Sequence, residues 1–524
     1  MGLRVFALLC VLLSCVPLFL AKEEVSVKVE GVTSIAETDD NFVCATLDWW
    51  PSTKCEDAHC PWVNSGILRL DLKNKILSNA IKAFNPLRLR VGGSMEDQVV
   101  YKVGKVTKCP HFKKKKGGLF GYSHGCLPTN RWDELNKFFK ETRALVTFSV
   151  NALRGRKKSK DDKILWTGEW APQNARDLMA YTVSKGYKID SYEFGNEICG
   201  GGVEARVEAK QYGKDIIVLK ELVEELYANQ TRKPKVLGPG GFYYEKWFNE
   251  FLQTAGPGTV DGLTHHIYNL GAGDDPTLIN KLQDPYFLDR IAQTYKDIST
   301  AIKSFSPGTG AWVSESGGAY HSGGDLSSNT FVNGFWYLDQ LGMTSTFNHK
   351  VFCRQAVIEG YYALLNSTTS IPNPDYYGAL LWHRLMGKRV LRTTHDSSPY
   401  LRVYSHCSKK KPGITLLIIN MSNSTAFDVS VINDLNLYPD QANKLAEDSN
   451  KAQVKPREEY HLTPKDGNLQ SNVVLLNGIP LVLTESKDIP AMKPKLVDAE
   501  KPINVAPDSI VFATLRGFNA PACH

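Results

Sequence analysis

Eight short, apolar, β-rich runs recur between residues 42 and 395, with helix-like stretches between them, and no other feature of the chain constrains its fold as much. The runs are Val43 to Asp48, Leu87 to Gly92, Leu145 to Asn151, Tyr192 to Asn196, Lys235 to Gly238, Gly262 to Tyr268, Ala311 to Ser314 and Thr344 to Phe352. Amphipathic segments such as Ile67 to Phe84, Ala171 to Lys185, Ala209 to Asn229 and Leu288 to Phe305 separate them. Strands that alternate with helices pair in parallel, because each crossover returns the chain to the same end of the sheet. Eight is the number a closed (β/α)8 barrel needs.

Beyond His395 the texture changes to short β-like runs broken by turn signals, at Arg402 to Cys407, Gly413 to Asn420, Phe427 to Ile432, Val473 to Leu476, Leu481 to Leu483 and Ser509 to Leu515. Runs of this kind read as a β-sandwich. The segment Val25 to Val32, ahead of the first barrel strand, is expected to add an edge strand to it. The expected organisation is an export signal over residues 1–21, an N-terminal segment over 22–41 that joins the sandwich, a catalytic barrel over 42–395 and the sandwich over 396–524. A hydrophobic content of 42% fills one large core and one smaller one in a chain of this length.

Arg4 precedes an apolar run from Val5 to Leu20, and Ala21 stands just before Lys22-Glu23-Glu24, the order of a secretory signal. A membrane anchor is the competing reading, but the run is shorter than the roughly 20 residues a span needs. A secreted protein of the extracellular space or cell wall is therefore expected. A lysosomal or vacuolar destination and a peripheral membrane association stay open, and an integral span is not expected. The net charge of +7 lacks the density of a nucleic-acid binder, so no nucleic acid is expected as a partner.

Of the eleven cysteines, Cys10 and Cys15 leave with the signal, and the odd number that remains leaves at least one unpaired. Cys55 with Cys60 and Cys109 with Cys126 are spaced as loop staples in an oxidising compartment. A zinc site competes for the Cys55 to Cys60 segment, although an obvious second ligand pair is missing. Asn229, Asn366, Asn420 and Asn423 open glycosylation sequons, the last two close enough for one glycan to crowd the other.

Two glutamates stand at the ends of the fourth and seventh runs: Glu197 in Tyr192-Glu193-Phe194-Gly195-Asn196-Glu197 and Glu315 in Trp312-Val313-Ser314-Glu315-Ser316-Gly317-Gly318. Working residues of a (β/α)8 barrel project from the C-terminal ends of its strands. Retaining hydrolysis of a glycosidic bond needs one acid to protonate the leaving oxygen and one carboxylate to attack the sugar carbon, roughly 5 Å apart. Either glutamate alone is unremarkable, and a buried Glu315 paired to an arginine is the plain structural alternative. Asn196 beside the acid can hold a substrate hydroxyl. Thr264-His265-His266-Ile267-Tyr268 closes the sixth run, and alternation points His266 and Tyr268 to one side, where either ring can donate to the nucleophile. The two adjacent histidines point opposite ways and would not share an ion, so no metal is expected.

With these residues in place the chain resembles glycoside hydrolase family 79, the heparanase and β-glucuronidase family, and above all its plant heparanase-like members. The matching motifs are Thr46-Leu47-Asp48, Leu89-Arg90-Val91-Gly92-Gly93-Ser94, Val150-Asn151-Ala152-Leu153, Phe194-Gly195-Asn196-Glu197, His265-His266-Ile267-Tyr268, Glu315 to Tyr320, Cys353-Arg354-Gln355 and Asn373-Pro374-Asp375-Tyr376-Tyr377. The resemblance implies a barrel with a β-sandwich, retention of configuration, Glu197 as acid/base, Glu315 as nucleophile and no cofactor. It places Asp48, Ser94, Asn196, His266 and Tyr268 on the sugar or the nucleophile. It assigns the glucuronate carboxylate to the Tyr362 hydroxyl and to backbone amides at Gly360 and from Tyr320 through Ser322 to Gly323. It also implies a disulfide between Cys407 and Cys523, which leaves Cys44, Cys199 and Cys353 over. Cys199, so near Glu197, is read as a small packing residue.

Departures from animal heparanase bear on the substrate. Residues 101 to 143 hold no long excisable linker, so activation by cutting into two chains is not implied. The loop after the fifth run reads Gly240-Gly241-Phe242-Tyr243-Tyr244, and aromatic faces stack on sugars without neutralising sulfate. Basic clusters at Lys113 to Lys116, Arg154 to Lys160 and Lys409 to Lys411 are compatible with acidic glycans but read first as solvated loops. The expected activity is exo-acting release of β-linked glucuronic acid from glycans, proteoglycans or small glucuronides. Endo-cleavage of a heparan-like polysaccharide is the alternative among enzymes. A carbohydrate-binding surface protein without catalysis is the alternative outside them.

Overall fold

The structure, a computed structural model, describes residues 21–55, 60, 62–201, 203–434 and 455–524. Apart from Ala21, the expected export signal lies outside the described residues.

Eight parallel strands close into a barrel in chain order: Val43–Asp48, Arg88–Gly92, Leu145–Val150, Ser191–Phe194, Lys235–Phe242, Gly262–Ile267, Gly310–Ser316 and His349–Arg354. The first and last are joined by register pairs from Val43 with Phe352 to Ala45 with Arg354. A helix follows every strand, from Lys75–Lys82 after the first to Pro374–Leu385 after the eighth. The first of these helices shows how the sequence sets its limits. Asn74 caps it by accepting from the backbone N–H groups of Ile76 and Leu77 at 2.9 and 3.1 Å, and Leu77, Ala80 and Ile81 form its buried stripe. The helix is shorter than the expected Ile67 to Phe84, because residues 67–73 are held in turns.

The expected eighth strand, Thr344 to Phe352, begins too early. Thr344 to Thr346 end the helix Asn333–Thr346, whose residues from Asn333 to Ser345 are all buried. This helix lies between the barrel and the second sheet, so it lacks the one-sided apolar stripe that marks a surface helix. Apolar runs buried on every side are ambiguous between helix and strand.

The second sheet has eleven strands and surrounds its own core of Val27, Val29, Leu416, Ile418, Phe427, Val511 and Ala513, among others. Strand Ile414–Asn420 is buried throughout. Its alternate residues divide between the two cores: Leu416 and Ile418 face the sandwich, and Leu417 and Ile419 face the barrel helices. The N-terminal strand Ala21–Glu37 is an interior strand, not the expected edge strand. It pairs in parallel with Thr425–Asn433 and antiparallel with Met386–Thr394. Met386–Thr394 follows helix Pro374–Leu385 directly and, although it falls within residues 42–395, pairs in the sandwich sheet. Arg457–Pro464 also escapes a hydrophobicity reading, because its buried Arg457, Glu458 and Glu459 are satisfied by ion pairs. Leu481 to Leu483 is not a strand.

Among the described residues four disulfides are present: Cys55–Cys60, Cys109–Cys126, Cys407–Cys523 and Cys44–Cys353. The last corrects the expectation that Cys44 and Cys353 are left over. They face each other on the first and eighth barrel strands, a proximity that exists only once the barrel closes. Asn229 and Asn423 are exposed and Asn366 is half-buried. Asn420, by contrast, is fully buried, and its amide nitrogen donates to the carbonyls of Thr425 and Ala506 at 2.8 and 2.9 Å. The nitrogen to which a sugar would attach is thus enclosed in the fold. Among the described residues no helix is long and apolar enough to cross a membrane.

Candidate active site

Arg90, on the second barrel strand, is fully buried and organises the floor of the site. Its Nε donates to Glu193 at 2.6 Å, its Nη1 to Glu315 Oε2 at 2.9 Å and its Nη2 to the Asn196 side-chain oxygen at 2.9 Å. One guanidinium thus ties the second, fourth and seventh strands together. Burial works against its charge, but Glu193 and Glu315 outweigh burial and hold the proton on. Burial likewise penalises the Glu193 carboxylate, and Arg90 overcomes it, keeping the Glu193 pKa below the usual range. Neither residue was given a role from the sequence. The signal was there, since two arginines two apart in a short apolar strand point to one side, and a buried arginine must find carboxylates.

Glu197 lies three residues past the end of the fourth strand, with a left-handed backbone at φ 54° that non-glycine residues rarely adopt. Two contacts hold it there: its N–H donates to the Gly240 carbonyl at 2.7 Å, and the N–H of Asn196 donates to Asp97 at 2.9 Å. Oε1 of Glu197 lies 2.8 Å from Nδ1 of His266. Burial lowers the His266 pKa to about 4, so the ring is neutral and a single proton serves this contact. Burial also pushes Glu197 up to about 7, with Arg90 acting against it.

Glu315 has a different environment. Its Oε1 accepts from the Tyr268 hydroxyl at 2.7 Å while Oε2 faces Arg90. The phenol stays protonated, because burial and then Glu315 raise its pKa well above the ordinary value. Ligand atoms of Glu197, His266 and Glu315 lie within 4.8 Å of one another. That spacing would suit a cation, but both oxygens of Glu315 already accept from Tyr268 and Arg90.

The other expected contacts fall into two groups. Asp48 is buried at the end of the first strand, where its carboxylate accepts from Gln355 and its backbone N–H faces Glu359 at 3.2 Å. Burial and then Glu315 raise its pKa to about 8. A side chain on Gly93 would overlap Asp48, with a Cβ only 1.4 Å from Oδ1, so that position requires glycine. Asn196 keeps a buried side-chain nitrogen without a partner. Ser94, half-buried in the turn after the second strand, joins none of these hydrogen bonds. Tyr362 comes to the site through Gly317, where an added Cβ would lie 2.7 Å from the Tyr362 ring and 2.9 Å from the Tyr268 ring. The Ser322 carbonyl accepts from the N–H of Tyr361 at 2.7 Å and of Tyr362 at 3.3 Å, and Gly323 and Gly360 pack in the same contact. Tyr320 is exposed beside them. Cys199 is unpaired, buried and packed against Gly241, as its packing reading requires.

Residues 24–342 match the family model of the N-terminal domain of glycosyl hydrolase family 79. The chain is 48% identical to heparanase-like protein 2 of Arabidopsis thaliana, over 100% of both chains. It is 41% identical to baicalin-β-D-glucuronidase of Scutellaria baicalensis, over 95% of this chain and 93% of that protein. In fold it is similar to a family 51 arabinofuranosidase of Xanthomonas axonopodis pv. citri, with a TM-score of 0.65 and 14% identity over 94% of this chain and 99% of the other. The family match covers most of the barrel and both glutamates, and the full-length relatives extend it through the sandwich; the chain is a glycoside hydrolase and belongs to glycosyl hydrolase family 79.

Proposed function

We propose that the protein is a secreted, retaining β-glucuronidase that removes terminal β-linked glucuronic acid from glycans or small glucuronides. One observation carries the reading: two carboxylates at the C-terminal end of one barrel approach within 4.8 Å in unlike environments. Carboxyl groups about 5–5.5 Å apart suit retention, whereas inversion needs roughly 6.5–9.5 Å to admit a water. Glu197, raised to about 7, carries the proton that goes to the leaving oxygen. Glu315 attacks the sugar carbon, and its glycosyl ester is then hydrolysed by a water that Glu197 deprotonates. The unpartnered Asn196 amide supplies a donor for a sugar hydroxyl.

The glucuronate preference draws support from the likeness to baicalin-β-D-glucuronidase and from Tyr362 standing beside Tyr268. Phe242 supports an apolar contact with the aglycone. It is 44% exposed, and its ring centroid lies 6.3 Å from that of His266 and 6.2 Å from that of Tyr268. Secretion draws support from the apolar N-terminal run and from the four disulfides. A 2-deoxy-2-fluoro glucuronide tests the mechanism: peptide mapping should find the covalent sugar on Glu315. An adduct on another carboxylate, or an inverted product, overturns it.

A further inference from the structure

Three successive backbone N–H groups fix the turn that presents Glu197, and each has a different acceptor. The N–H of Gly195 donates to the Val150 carbonyl at 3.1 Å, that of Asn196 to Oδ2 of Asp97 at 2.9 Å and that of Glu197 to the Gly240 carbonyl at 2.7 Å. Of these acceptors only Asp97 is a side chain. It lies buried in the short turn Glu96–Gln98 after the second strand. Its other oxygen, Oδ1, accepts from the N–H of Ala152 in the loop after the third strand, at 2.7 Å. One carboxylate therefore bridges the segments that follow the second, third and fourth strands.

The bridge matters most to the turn. Gly195 and Glu197 flank Asn196 with positive φ of 74° and 54°, and a glutamate stays in that strained region only where its surroundings over-determine it. The loop after the third strand has further ties to the second: the N–H of Asn151 donates to the Tyr101 hydroxyl at 3.1 Å, and its side-chain nitrogen to the Val99 carbonyl at 2.9 Å. The Asn196 N–H relies on Asp97. Burial penalises this carboxylate and pushes its pKa up to about 6, with the N–H groups of Asn196 and Ala152 acting against the shift. A group buried at such a cost is a poor device for stability alone, and its position beneath the acid gives it another use.

We propose that Asp97 is a positioning residue for proton transfer: by holding the Gly195-Asn196-Glu197 turn, it keeps the Glu197 carboxyl against His266 and aimed at the leaving oxygen. This rests on the reading of Glu197 as the acid/base and deepens it, by naming a residue that acts on the acid only through the backbone. Loss of Asp97 should therefore damage the step that needs a proton and spare the attack by Glu315, which Arg90 and Tyr268 orient from other strands.

The test compares kcat/KM on phenyl glucuronide, a poor leaving group, with that on a dinitrophenyl glucuronide, which leaves without a proton. Asp97→Ala in the full chain should lower the first by about 100-fold and the second by less than about threefold. The ratio of the two rates within one preparation does not depend on how much of the protein is folded. Asp97→Asn, which keeps the shape and one acceptor oxygen, should move the ratio the same way by about tenfold. Tyr101→Phe is the structural control: it strips the Asn151 N–H of its acceptor in the adjoining loop and should lower both rates by one factor. A crystal structure of Asp97→Ala should show Oε1 of Glu197 out of hydrogen-bond reach of His266. Equal losses on the two substrates in the Asp97 variants, a ratio shift as large in Tyr101→Phe, or an unmoved Glu197 would each overturn the proposal. If the wild-type protein turns over neither glucuronide, the glucuronidase reading fails, and the position of Glu197 in the crystal structure still decides for or against Asp97.

Discussion

The hydroxyl of Tyr268 donates to Oε1 of Glu315 at 2.7 Å, and this contact separates the two glutamates chemically. A carboxylate that accepts from a phenol and a guanidinium is held in one orientation, which suits a nucleophile. A hydrogen bond to a charged group contributes about 1.5–3 kcal/mol. Tyr268→Phe should therefore lower kcat/KM on an aryl glucuronide by roughly 10- to 100-fold, with trapping by the fluorinated sugar still on Glu315 but slower.

Glu197 sets the basic limb of the rate profile. An acid raised to about 7 loses its proton, and kcat/KM should fall, as pH rises past about 7. On activated aryl glucuronides, which need little protonation, Glu197→Ala should remove that limb and spare part of the first step. Azide should rescue the second step. Equal losses on good and poor leaving groups would speak against the assignment.

Specificity is tested through Tyr362. If its hydroxyl meets the glucuronate carboxylate, Tyr362→Phe should lose more rate on a glucuronide than on the matching glucoside, because only the charged substrate uses that donor. The wild-type protein should cleave the glucuronide far faster than the glucoside. A parallel kcat/KM series on both substrates checks each statement.

Stability should decline as pH rises from about 6.5 to 8. In that window Glu197, near 7, and Asp48, near 8, hold protons in the folded state that they release when unfolded, and Glu96 and Glu359 lie well above their ordinary range. The folded state binds more protons, so stability falls with rising pH. Below about 6.5 the buried His266, His349, His383 and His406 act in the opposite sense, since they stay neutral when folded and are protonated when unfolded. Unfolding midpoints across pH 5 to 8, in buffers of equal ionic strength, should pass through a maximum in the mildly acidic range.

The Cys44–Cys353 bridge joins the first and last barrel strands across 309 residues. Replacing both cysteines by alanine should cost about 2–4 kcal/mol by denaturant unfolding, through the freedom returned to the unfolded chain. The aryl-glucuronidase rate should be retained, because Asp48, four residues further along the first strand, keeps its own partners Gln355 and Glu359.

The barrel and its two glutamates are legible in the sequence because local periodicity and strand ends are local properties. Seven of the eight strands begin within a residue of the apolar runs that announce them, from Val43–Asp48 to Gly310–Ser316. The eighth is misread where helix Asn333–Thr346 is buried on all sides and loses its period. Whatever depends on closure waits for the tertiary structure. Arg90 acquires its role only when three strands bring Glu193, Asn196 and Glu315 around it, and Cys44 meets Cys353 only when the barrel is complete. The N-terminal strand becomes interior only when Thr425–Asn433 and Met386–Thr394 arrive on either side of it. Sequence records which residues want burial, charge or a turn; which of them share a partner depends on contacts hundreds of residues apart, and those exist only in the folded chain.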